Sequence, residues 1–261
     1  MGVYTRKKQK KYKKKAYRRS GKSMKVLRGG NNALKVAILF TGRIKGYEHV
    51  KENLRRIKEK YNPVIFCSLN KKNKTNYVKE FCDFMNITDD KLYLEKTPPY
   101  PDFMNHVKMA ETLHGMWGDG DAKQSAYSNF YHMQQVWKLF EKYKNNFDIV
   151  LYYRADMDSK EDLSLINPVK NMTIYIPQNN PSCDSGGLCM QFLYGNPNTM
   201  SYFFNMAASI EDMCKKQGVT YHAETLFKKH IENNNIAVER FPYIFTLTPA
   251  RHQPNPNANI D

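Results

Sequence analysis

A chain of 261 residues with 41% hydrophobic content can bury one sizeable core, and no apolar run approaches the roughly 18 residues that would suggest a bilayer span. The formal charge of +16 is uneven: residues 1–28 carry 13 Lys and Arg and no acid, leaving 28 basic against 25 acidic residues in the remainder. Cys67, Cys82, Cys183, Cys189 and Cys214 are scattered without a CxxC pair, so neither a disulfide framework nor a zinc ribbon is expected, and a reducing, cytoplasmic setting is.

The opening MGVYTRKKQKKYKKK has charge but no apolar stretch, so it does not read as a secretory leader. Such a segment repels itself and has little to bury, and residues 1–32 are expected to be a basic flexible tail. It is either simply solvated or a contact for an anionic membrane or another polyanion, including nucleic-acid phosphates. Tyr4, Tyr12 and Tyr17 are interleaved, but stacking on bases needs a folded groove. Gly2 lacks the Ser or Thr four residues on that myristoylation favours, since Arg6 stands there; SGKS at 20–23 is no phosphate loop, because Ala16 replaces the upstream glycine.

The body, residues 33–252, reads as one domain, with 253–261 a flexible end. LKVAILFTG (34–42) is a buried strand ending in a turn, and 47–60 is a helix with Val50, Leu54 and Ile57 on one face. VIFCSL (64–69) is a second strand, 75–85 a helix, and KLYLE (91–95) a third strand. The stretch 96–121 is proline-broken and glycine-rich, a long loop of the kind that often carries function; its Tyr100, Phe103 and Trp117 would either wall an acceptor site or pack onto the sheet. Residues 122–145 form the strongest helix, with Phe130, Met133, Val136, Trp137 and Phe140 as a core stripe. FDIVLYY (147–153) is a central strand. Further strands are expected at 173–176, 189–195 and 236–241, with helices at 196–218 and 222–234. Alternating strands and helices predict an α/β fold with a mostly parallel, Rossmann-type sheet.

Chemistry concentrates in YYRADMD. An apolar strand delivers Asp156 and Asp158 at its carboxyl end, where ligands bind in open α/β sheets. Two carboxylates so placed can hold Mg²⁺ or Mn²⁺ together with substrate phosphates, and Arg154 adds a planar cationic fork. The bland alternative is a helix cap, with Asp158 starting a helix through SKED. Thr41, Gly42 and Arg43 end the first strand, where backbone can approach a diphosphate or base, or where the chain merely turns. Glu224 opens a helix after His222 and is either a dipole partner or a general base, with Asp184 in SCDSGG its competitor. His252 in PARHQP is a candidate third metal ligand or a solvated loop side chain.

Several segments, in order, resemble glycosyltransferases with a GT-A fold, found among others in large DNA viruses of algae and amoebae. KVAILFTGRIKGYEHVKENL is similar to their opening strand-turn-helix, FDIVLYYRADMD to the strand leading to a DxD motif, MQFLYGNPNTMSYF to their Q-F-x-x-G strand and following helix, and HAETLFKKHIENNNIAVERF to their closing unit. The likeness covers residues 34–251. It implies a nucleotide-sugar donor, Mn²⁺ or Mg²⁺, and a glycan or glycoprotein acceptor. By position, Asp156 and Asp158 serve the metal and diphosphate, Arg43 and Arg154 contact the donor, and Gln191 and Glu224 face the sugar or acceptor. Two departures bear on the base: HAE replaces the more usual proline before the Glu, and Met190 stands where an Asp often precedes Gln-Phe.

The expectation is therefore a metal-dependent glycosyltransferase in the cytoplasm (the host's, if the protein is viral) or at the periphery of a membrane. Its rivals are a nucleotidyltransferase and a polyanion-binding protein acting through the basic tail.

Overall fold

The computed structural model describes residues 34–42, 44, 47–71, 75–109, 119–178, 184 and 186–247. These belong to one unit, which begins at Leu34. The basic tail and the segment 253–261 lie outside the described residues, as do Arg43, Trp117 and His252.

Four strands, β1 (Val36–Gly42), β2 (Val64–Asn70), β3 (Leu92–Glu95) and β4 (Ile149–Tyr153), run parallel. β1 and β2 are joined by α1 (Tyr47–Tyr61), β2 and β3 by α2 (Thr75–Met85), and α3 (Asp119–Glu141) precedes β4. A short β5 (Met157–Asp158) follows, then β6 (Thr173–Pro177), β7 (Phe192–Gly195) and β8 (Ala237–Phe241). The seven-stranded sheet has the order β3-β2-β1-β4-β7-β6-β8, and β5 pairs apart from it with β9 (Thr246–Leu247). Only β7 runs against its neighbours. The carboxyl ends of β1–β4, β6 and β8 therefore share one edge with the amino end of β7.

Alternation on the pleated strands makes two cores. Val36, Ile38, Phe40 and Tyr153 face α1 and α2; Ala37, Leu39, Val150 and Tyr152 face α3 and the later helices. The stripe on α3 is core, as its spacing predicts: Phe130, Met133, Val136, Trp137 and Phe140 are buried. Tyr100 and Phe103 pack against that same core.

The helix expected over 196–218 is two helices, α4 (Pro197–Phe204) and α5 (Ile210–Gln217), separated by a 3₁₀ turn at Met206–Ser209. Its ends are as expected: the Asn196 side chain accepts from the Thr199 amide at 2.8 Å, and Gly218 closes α5 at φ +66°. The break has a packing reason. Phe204 and Met206 are both fully buried, yet residues two apart point about 200° away from each other on one helix. The last helix, α6 (Ala223–Asn233), lies where predicted.

The cysteines depart from expectation in one respect. Cys67, Cys82 and Cys214 are free thiols, but Cys189 is disulfide-bonded. One bridge is not a framework, but it does not fit a purely reduced chain.

Candidate active site

The strand order places a topological switch between β1 and β4. From β1 the chain proceeds outward through β2 and β3, and then returns to β4 on the other side. Loops leave such a point in opposite directions and open a crevice at the carboxyl edge. Thr41 and Gly42 end β1 there, and Arg154 follows β4. Gly42 holds φ +84°, a left-handed conformation in which a side chain is strained, so this turn needs a glycine even though a Cβ would meet no atom within 4 Å.

Arg154 closes on Asp156 as a two-pronged ion pair, Nε to Oδ1 at 3.0 Å and Nη2 to Oδ2 at 2.7 Å. Burial opposes the guanidinium charge, and the Asp156 carboxylate, together with Tyr152 and Glu224, more than offsets it, so the Arg154 pKa is raised. The Arg154 side chain remains 40% exposed. Its Nη1 makes no hydrogen bond to another described residue, so an outer edge of the fork stays open to an anion.

Beneath the pair, Tyr152 is buried, its hydroxyl 3.1 Å from Thr41 Oγ1 and donating at 3.4 Å to Asn129 Oδ1 on α3. Burial raises the Tyr152 pKa; Thr41 and Arg154 pull it back, while Asp156 and Glu224 push it further. These charges thus converge on one hydroxyl. Asp158, two residues on, helps to raise Tyr153, whose foremost cause is burial and whose ring packs in the α1 layer. Asp158 does not cap a helix; it pairs with Thr246 in the small sheet. No hydrogen bond or ion pair joins its half-buried carboxylate to another described residue.

Gln191 lies opposite Arg154, whose amide donates to the Gln191 carbonyl at 3.3 Å. Its side-chain Oε1 is buried and has no hydrogen-bond partner among the described residues. Such an orphaned acceptor costs about 1–3 kcal/mol unless a ligand or water donates to it.

Glu224 sits in the first turn of α6, its side chain 16% exposed, with Oε2 3.4 Å from His222 Nε2. Burial raises its pKa; His222 and then Arg154 pull it down, and Asp184 pushes it up. Asp184, its rival as base, has both oxygens engaged: Oδ1 accepts from the Cys189 amide at 2.9 Å and Oδ2 from Arg240 Nη2 at 2.8 Å. Arg240 is the residue that the sequence alone did not single out. Its one signal was a charge at the carboxyl end of the last expected strand.

The structure therefore brings Thr41, Tyr152, Arg154, Asp156, Gln191 and Glu224 to one edge. Arg43 and His252 lie outside the described residues, and among those described no three His, Cys, Asp or Glu side chains gather to hold a metal. The donor chemistry of Asp156 and Asp158, hard carboxylate oxygens, nevertheless suits Mg²⁺ or Mn²⁺.

No family model matches the chain, and no curated protein does. Among solved structures the chain is similar to the bifunctional glycosyltransferase WbbM in its apo form, at 14% identity and TM-score 0.41, covering 82% of this chain and only 39% of that one. It is similar to a glycosyltransferase involved in glycosylation of the major capsid of PBCV-1, at 12% identity and TM-score 0.38, covering 80% of this chain and 81% of that one. It is also similar to the mannosyltransferase Ktr4p from S. cerevisiae, at 9% identity and TM-score 0.44, covering 83% of this chain and 71% of that one.

Proposed function

We propose that this protein is a glycosyltransferase that moves a sugar from a nucleoside-diphosphate donor to a glycan or glycoprotein acceptor. The observation that carries the reading is the open edge of the Arg154 fork at the switch point, a guanidinium pre-oriented by Asp156 to take a diphosphate. Around it stand groups suited to a polyhydroxylated ligand. Gln191 Oε1 offers an acceptor with no partner among the described residues, and Thr41, Tyr152 and Asn129 form a chain of hydroxyl and amide groups at the same edge.

In the reaction, the bond from the anomeric carbon to the diphosphate oxygen breaks, and its electron pair leaves with the diphosphate. Arg154 meets the charge that grows there. The acceptor oxygen forms the new bond to the anomeric carbon. In an inverting transfer Glu224 takes the proton of the acceptor hydroxyl; in a retaining one its charge faces the oxocarbenium-like carbon. Either role needs the ionised carboxylate. Asp156 and Asp158 would hold a divalent cation, which when bound adds further neutralising charge at the diphosphate. Arg43 would contact the donor, and His252 would be a further metal ligand. The basic segment 1–28 would keep the enzyme near an anionic membrane or another polyanion.

The test is incubation of the full chain with nucleotide sugars and glycan acceptors, with Mn²⁺ or with EDTA, read by mass spectrometry. Gain of an intact sugar by the acceptor supports the proposal, and gain of a nucleotide supports the nucleotidyltransferase instead. Removal of residues 1–28 leaves turnover on a soluble acceptor in place if the body is the enzyme.

A further inference from the structure

Asp184 stands at the same sheet edge as Glu224, yet its bonding is that of a fastener. One oxygen accepts from the Cys189 amide at 2.9 Å and the other from Arg240 at 2.8 Å, while its own carbonyl accepts from the Gly187 amide at 2.6 Å. Arg240 is anchored in turn, donating from Nη1 to the Pro177 carbonyl at 3.0 Å across the β6–β8 pair. Cys189 is held in a disulfide as well. The segment from Gly186 to Gln191 is thus tied at several points.

What this segment touches is the start of α6. The Leu188 amide donates to the Glu224 carbonyl at 3.1 Å. Gly187 lies so close beneath that a Cβ there would stand 2.1 Å from the Glu224 carbonyl carbon and oxygen and 2.5 Å from the Thr225 nitrogen. Only a glycine fits this contact without moving the first turn of the helix. At its other end the segment leads to Gln191, which sits opposite Arg154.

We infer that Asp184 and Arg240 form a clasp that positions Glu224, acting through the Gly187–Leu188 backbone, and that neither residue exchanges a proton with substrate. The inference rests on Glu224 being the working carboxylate of the proposed transferase. Its geometry makes a distinction between variants. Asp184→Ala removes both ties, whereas Asp184→Asn and Arg240→Ala each keep the Cys189 tie and lose the Arg240 one.

The test compares Asp184→Asn, Asp184→Ala, Arg240→Ala and Glu224→Gln in the full chain by kcat, KM and hydrogen exchange at the Leu188 amide, with thermal melting as the control for folding. A clasp predicts that Asp184→Ala lowers kcat about 10- to 100-fold with KM little changed, and speeds Leu188 exchange at least about tenfold. Asp184→Asn and Arg240→Ala, each keeping the Cys189 tie, are predicted to stay within about tenfold of the parent, as a displaced geometry and not a lost proton acceptor would have it. Turnover lost in Asp184→Asn as fully as in Glu224→Gln would overturn the inference, and so would unchanged Leu188 exchange in Asp184→Ala. If the parent transfers no sugar at all, the transferase reading fails, and the exchange measurement alone still decides whether the clasp holds α6.

Discussion

Arg154 grips Asp156, two residues further along its own chain, through two hydrogen bonds of 3.0 and 2.7 Å. A carboxylate this near orients the guanidinium plane, and a lysine cannot reproduce that plane. Arg154→Lys is expected to lower kcat/KM by about 10²–10³-fold while leaving the melting temperature near the parent's. Asp156→Ala is expected to abolish transfer without unfolding the protein, because its side chain is bonded at the edge and not packed in either core. Steady-state rates with circular dichroism melts check both.

Glu224 must be ionised to act, and its burial raises the pH at which it ionises. The acid limb of the kcat/KM profile is therefore expected above the range of an ordinary carboxylate: activity disappears as pH falls through the raised pKa. Glu224→Gln is expected to remove that limb and to lower kcat by about 10²–10⁴-fold. A limb that persists in the Gln variant would assign it to another group.

His132 reports on stability. It is fully buried, with Nδ1 2.8 Å from Ser68 Oγ and Nε2 3.0 Å from Thr97 Oγ1, and burial lowers its pKa to about 4. Because the folded value lies below the unfolded one of about 6.5, the unfolded chain binds the proton first. The native state is undiminished above about pH 6.5 and loses up to about 3 kcal/mol as pH falls from there to about 4. His230, lowered by burial in the same direction, adds to the slope. Urea denaturation at pH 7 and pH 4.5 measures the loss, and a His132→Ala variant is expected to be weaker at pH 7 and to lack His132's share of the slope.

Gly187 tests the packing of α6 without touching any charge. Gly187→Ala drives a methyl into the Glu224 backbone. It is expected to cost about 1–3 kcal/mol of stability and to lower kcat about 10- to 100-fold, measured by urea midpoint and turnover.

Much of this was legible in the residues themselves. All seven strands of the main sheet were readable as short runs; the buried central ones, VAILFTG and IVLYY, are the clearest, while the edge strands β3 and β8 are mostly half-buried or exposed. Asp156 and Glu224 stood out because one follows a strand and the other opens a helix. The break at Asn205 was not readable, since a tertiary demand to bury Phe204 and Met206 overrides the helical period. Nor were the two-residue strands β5 and β9, too short to carry a pattern. Asp184 looked like a base because sequence gives the residue type but not its partners; Arg240, 56 positions away, is what turns it into a fastener.

Calorimetric titration of nucleoside-diphosphate sugars into the parent and into Arg154→Met, with and without Mn²⁺, bears most directly on the proposed donor site. At least one donor is predicted to bind the parent and to weaken tenfold or more in Arg154→Met, about 1.4 kcal/mol or beyond. Failure of every donor to bind, or equal affinity for parent and variant, would contradict it.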